Sequence, residues 1–226
     1  MPILAFYIFT QFFSIACAIT VFIHGYRLRT TGIQYQYLYI YPMASFIQNI
    51  FGLTINGTYL SYAKRASIIG VSIYLFLFVE FYSLYHYYIN TLREKKSNKI
   101  LNAIRYVYPL IPLSCWIPGN NPNACKYYLY LIQAGLLLLP CLLFILEQLK
   151  NPTQGDLHTS AVFWITLGVA FYFACTLPLF LMKDFVFHPL GGVLDERAHL
   201  INQLCYGIMF LIILKGYKCH KKQILQ

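Results

Sequence analysis

Seven acidic side chains occur in the 226 residues, and one of them, Glu80, stands near the middle of an apolar stretch, residues 67–91, SIIGVSIYLFLFVEFYSLYHYYINT. A carboxylate at that depth in hydrocarbon is costly, so it needs a partner or a task. The chemistry open to it is an ion pair, the carrying of a proton, or the binding of a ligand's polar group. Spacing puts Ser83 on the same face as Glu80. Two sets of partners are within reach. One is Gln48 and Asn49, in a preceding stretch where Ser45, Asn49, Gly52 and Asn56 recur at spacings of three and four. That spacing also suits close helix approach with hydrogen bonds across the contact. The other is Arg105. Glu80 lies about ten residues from the end of its stretch and Arg105 about five, so at 1.5 Å per residue their depths differ by roughly 7–8 Å. An extended arginine side chain spans that gap.

A second group sits in the loop at about 183–199, KDFVFHPLGGVLDERAH, with Asp184, His188, Asp195, Glu196 and His199. Glu196 and His199 are three apart, a spacing used by metal ligands. A zinc-like site needs three or four converging ligands, so one such pair makes His188, Glu196 and His199 weak candidates only. Cys115 and Cys125 flank a turn-rich loop and are a candidate disulfide on the outer side of a membrane. The remaining cysteines have no C-x-x-C spacing and read as small apolar fillers. Asn56-Gly57-Thr58 has the form of a glycosylation acceptor but lies against the bilayer. A retinal-type site is set aside, because Lys215 is at the end of its stretch and no acid lies within it.

These groups must be positioned by elements that live in lipid. Hydrophobic residues make up 59% of the chain and charged residues 11%, well under the roughly 25% charge of a soluble domain. The pattern predicts an all-α polytopic bundle. Seven stretches of about 20 residues, the length that crosses roughly 30 Å of hydrocarbon, run at about 3–23, 36–60, 67–91, 100–117, 126–147, 160–182 and 200–217. Pro109 and Pro112 predict that the fourth is bent or broken. The first has no basic residue ahead of it, so a retained helix is expected rather than a cleaved signal peptide.

A net charge of +10 could suggest nucleic acid, but most of the cations flank apolar stretches, as topology signals do. With the N-terminus outside and the C-terminus inside, the cytoplasmic segments hold Arg27, Arg29, Arg93, Lys95, Lys96, Lys99, Lys150, Lys215, Lys218, Lys221 and Lys222. The outer segments hold Lys64, Arg65, Lys126, Lys183 and Arg197. That imbalance favours seven crossings, N-out and C-in, in the cell (inner) membrane. Most of the 21 tyrosines, among them Tyr35, Tyr85, Tyr87 and Tyr88, are expected in aromatic belts at the two interfaces.

Three stretches together, IYLFLFVEFYSLYHYYI, FWITLGVAFYFACTLPLF and INQLCYGIMFLIILKGY, resemble small seven-helix membrane proteins of Bacteroidota-type bacteria. They are similar to the membrane part of some sensor histidine kinases. The matching positions are Glu80, Phe81, Phe163, Trp164, Gly168 and Asn202. The resemblance implies the seven-helix topology and adds Trp164 and Asn202 to the candidate ligand pocket of Gln48, Asn49, Glu80, Ser83 and Arg105.

The expected function is sensory or accessory. A small apolar or amphiphilic ligand would enter between the helices, and a partner protein would be engaged at residues 92–99 or at the C-terminal tail. No cofactor is expected. The alternative is an intramembrane lipid-modifying enzyme using Glu80 or the Asp195, Glu196 and His199 group. A transporter ranks third, since duplicated broken helices are absent from the sequence.

Overall fold

The computed structural model describes residues 2–56, 62–114, 122–151, 157–182 and 192–225, with their side chains except at 2–7, 56, 62–67, 122–127, 192–197, 199 and 222–225. Cys115 and His188 lie outside the described residues, as do the side chains of Cys125, Glu196 and His199. Among the described residues every element is helical. The helices are α1 (Pro2–Leu28), α2 (Ile40–Asn56), α3 (Tyr62–Ile89), α4 (Lys95–Val107), α5 (Leu110–Ser114), α6 (Pro122–Lys150), α7 (Ala161–Met182) and α8 (Gly192–Leu225). Single 3-10 turns at Ile33–Tyr35 and Leu157–Thr159 precede α2 and α7.

Six helices, α1, α2, α3, α6, α7 and α8, are long and apolar enough to cross a membrane. The chain is a multi-pass membrane protein. The stretch expected at 100–117 departs from the rest. It is split between α4 and α5 by a turn at Tyr108–Pro109, because Pro109 cannot donate to the carbonyl of Arg105 four residues back. At 13 and 5 residues, neither α4 nor α5 is long enough to cross a membrane by itself.

Side-chain contacts fix the direction of each helix. Gln48 of α2 meets Ser72 of α3, while Tyr37 just ahead of α2 meets His86, so α2 and α3 are antiparallel. Along α3 and the turn after it, Glu80, Tyr85, Tyr88 and Arg93 meet Gln133, Leu136, Cys141 and Glu147 in turn. α3 and α6 therefore run parallel. The chain between them must run back the other way, and it does: Tyr82 bonds Arg105 and Phe81 stacks on Tyr108, so α4 lies antiparallel to α3. α7 and α8 are antiparallel, through Tyr172 with Asn202 and Lys215 with Trp164. α1 and α8 are parallel, through Phe13 with Gly207 and Gly25 with Tyr217. One end of the bundle thus gathers Arg27, Arg29, Arg93, Lys95, Lys96, Lys99, Lys150, Lys215, Lys218, Lys221 and Lys222.

Apolar surface gains little by moving from lipid to protein, so membrane helices rely on close packing at small residues. Gly168 and Gly216 provide it between α7 and α8. A Cβ at Gly168 would lie 3.0 Å from Met209 O, and one at Gly216 would lie 2.9 Å from Ala161 O. The small residue expected to do this in α2, Gly52, faces open space. Asn49 also turns back on its own helix, donating to Ser45 O at 2.9 Å. The amide that crosses the contact is Gln48, which donates to Ser72 Oγ at 3.2 Å.

The tyrosine expectation needs a larger correction. Tyr35, Tyr85, Tyr87 and Tyr88 are buried inside the bundle, together with Tyr41, Tyr108 and Tyr217. Tyr37 and Tyr128 are exposed. Two phenols of α3, the buried Tyr85 and the half-buried Tyr82, repair prolines. Pro140 leaves the carbonyl of Leu136 without its helical donor, and the Tyr85 hydroxyl donates to it at 2.8 Å. Pro109 frees the carbonyl of Arg105, and the Tyr82 hydroxyl donates to it at 3.0 Å. An unpaired carbonyl in a dry interior is expensive, so these bonds let α3 hold both broken neighbours.

Candidate functional site

Glu80 is 3% exposed and sits where α2, α3, α6, α7 and α8 meet. Gln133 Nε2 of α6 donates to its Oε2 at 2.7 Å. The Tyr108 hydroxyl, from the α4–α5 turn, in turn donates to Gln133 Oε1. The order of this chain follows from donors and acceptors: the amide nitrogen is the only donor Gln133 has. Facing the carboxyl, it leaves the amide oxygen to accept from a hydroxyl. The Tyr41 hydroxyl lies close to the carboxyl, but its hydrogen bond runs to Met209 Sδ at 3.6 Å. Among the described residues Glu80 Oε1 has no hydrogen-bond partner.

Aromatic rings wall this centre. Tyr41, Tyr172, Tyr206 and Phe210 contact one another with centroids 4.8–6.2 Å apart. Tyr41, Tyr108, Tyr172 and Tyr206 all lie within electrostatic range of the Glu80 carboxyl. The Tyr206 hydroxyl is buried without a partner. The Tyr172 hydroxyl donates to Asn202 Oδ1 at 3.3 Å. Phe81 stacks on Tyr108 at 3.6 Å between centroids and 9° between planes. One turn toward the basic end, Leu84 and Leu137 are fully buried. Beyond them lies a second polar layer, with Tyr88 against Cys141 Sγ at 3.2 Å and unpartnered hydroxyls on Tyr87 and Tyr217.

The sequence candidates separate in space. Glu80 is the centre, and Asn202 joins it through Tyr172. Ser83 is buried beside it, three residues along α3. Gln48 and Asn49 are engaged elsewhere, as described. Arg105 does not pair with Glu80. Its guanidinium lies 5.9 Å from the Tyr82 ring centroid, and among the described residues no cation pairs with the Glu80 carboxyl. Arg105 and Tyr108 are three apart and share a side of the limb, but Arg105 lies one turn nearer the basic end, where it meets Tyr82 and His86 instead. Trp164 is at the basic end, where its indole N–H donates to His158 O at 2.8 Å and Lys215 Nζ sits 3.5 Å over the ring.

Sequence reasoning missed Gln133, Tyr41, Tyr108, Tyr172 and Tyr206. A signal for Gln133 existed, as it is the one amide in the apolar run at 128–146. The phenols carried none, being scattered among many others. Among the described residues no group of three or more His, Cys, Asp or Glu side chains could hold a metal ion. The arrangement offers hydrogen-bond acceptors, aromatic faces and one unsatisfied carboxyl oxygen. No family model, curated protein or solved structure matches this chain.

Proposed function

We propose that this is a sensory or accessory protein of the cytoplasmic membrane that binds a small amphiphilic ligand at Glu80 and acts through a partner at the basic end. The carrying observation is Glu80 Oε1, buried among aromatic rings with the Tyr41 hydroxyl close by, which accepts no hydrogen bond among the described residues. Such a group is expensive to maintain unless something bonds to it. Seven crossings with the basic end inside accord with the parallel run of α3 and α6. The α4–α5 limb makes the return trip between them, although it is too broken to qualify as one apolar helix. The positive-inside rule then puts the basic end in the cytoplasm. The exposed cations Lys95, Lys96 and Lys99 offer an anionic partner a surface there.

Native mass spectrometry of protein taken gently from its own membrane tests the reading. Wild type should carry an amphiphile that Glu80→Gln loses. Gln can still accept from Gln133, and no ion pair is lost, so the thermal midpoint should move little. An adduct retained in Glu80→Gln would remove Glu80 from the site. A large drop in midpoint would make the carboxyl a structural group instead.

A further inference from the structure

The α4–α5 limb differs from the rest of the bundle. Its outward side is apolar, with Ile100, Tyr106, Val107, Leu110 and Leu113 all exposed. Prolines interrupt it at 109 and 112. Its deepest insertion is Tyr108, fully buried, whose ring lies on Phe81 of α3 and whose hydroxyl closes on Gln133 of α6. Tyr108 therefore plugs the seam between α3 and α6, and directly behind it stands Glu80. Two hydrogen bonds fasten the limb here: Tyr108 to Gln133, and Tyr82 to the proline-freed carbonyl of Arg105.

We infer that the α4–α5 limb is a lipid-facing door to the Glu80 centre, that Tyr108 is its latch, and that the site takes amphiphiles with a cationic, hydrogen-donating head, a primary ammonium on an alkyl chain. This rests on the reading of Glu80 as a ligand site and specifies its route and chemistry. When Tyr108 swings out, Gln133 Oε1 is left as an acceptor on the amide that holds Glu80, and Glu80 Oε1 is a second acceptor on the same bonded pair. The Gln133 N–H remains committed to Glu80 Oε2. Two open acceptors on one bonded pair of side chains, one of them on a carboxyl, call for a head that donates at least two hydrogen bonds. A positive head also supplies the countercharge that no described cation gives, and the Tyr41 and Tyr206 rings favour a cation at their faces. The alkyl chain would trail through the seam along the apolar side of the limb into lipid.

The test uses a photoreactive dodecylamine and its trimethylammonium counterpart, with the full chain in phosphatidylcholine nanodiscs. The amine should label residues of α3 and α6 near Glu80 and Gln133, and the trimethylammonium probe, which has no N–H, at least tenfold less. Tyr108→Phe keeps the ring on Phe81 but frees the latch, and should raise labelling about five- to tenfold, the worth of one hydrogen bond. Tyr82→Phe loosens the limb at its other bond and should raise it too. If neither variant labels more than wild type while labelling still needs Glu80, the door is overturned and the ligand site stands. Equal labelling by the two probes overturns the donor head alone. Labelling indifferent to Glu80→Gln overturns both this inference and the reading beneath it.

Discussion

Glu80 and Glu147 are both almost fully buried acids, and their surroundings assign them different work. Glu147 accepts the backbone N–H of Arg93 with both oxygens, at 2.9 and 3.2 Å. It ties the end of α6 to the turn between α3 and α4, beside the ion pair of Lys150 with Glu94 at 3.6 Å. That pair is half-buried at best and contributes little. Glu147 is a structural acid. Replacing it with leucine strands a backbone donor, so Glu147→Leu should cost about 1–3 kcal/mol, read as a lower thermal midpoint in detergent. Glu80→Gln, by contrast, should leave that midpoint nearly unchanged. A similar loss from both variants would mean that Glu80 too is there only for packing.

At the scale of elements, α3 organises its neighbours by answering their prolines. Tyr85 serves the carbonyl freed by Pro140, so its value should depend on that proline. Tyr85→Phe should cost about 1–3 kcal/mol in the wild-type chain, because Leu136 O is left unpaired. In a Pro140→Ala background the helix supplies its own donor, and the same substitution should cost well under half as much. A double-mutant cycle with no coupling between the two positions would contradict this account. The α7–α8 contact makes a second demand. Gly216→Leu must push α8 off the Ala161 carbonyl and the Ile165 side chain, each 2.9 Å from a Cβ there, and should lose several kcal/mol or fail to fold. Gly135 has open space around it, so Gly135→Ala should stabilise by about 0.5–1 kcal/mol through helix propensity alone. Thermal unfolding of the two variants side by side checks both signs.

For the whole molecule, the number of crossings turns on residues 95–114. In a chain whose seven cysteines are replaced, a cysteine at Lys96 should react with a membrane-impermeant maleimide only in inside-out vesicles. A cysteine at Gly119 should react only in right-side-out ones. Labelling of both from one face would mean that the limb dips into the membrane and returns, leaving six crossings. The basic end would then no longer be on a single side.

The sequence by itself determined the solvent, the helical class and the asymmetry of charge. Each is a property of local composition: a run of twenty apolar residues must satisfy its own backbone in lipid, and cations collect where runs end. It also marked Glu80, because a lone acid in such a run is conspicuous. Only the tertiary structure decided what Glu80 meets. A partner depends on how each helix is rotated about its axis and on its depth, and one residue changes that rotation by about 100°. In a soluble protein, the polar face reveals the rotation. Here lipid and core are both apolar, so α7 reads nearly alike on every side. Arg105 could thus be placed beside Glu80 on depth alone, while the real neighbours, Gln133 and the inward tyrosines, became visible only when the helices were packed.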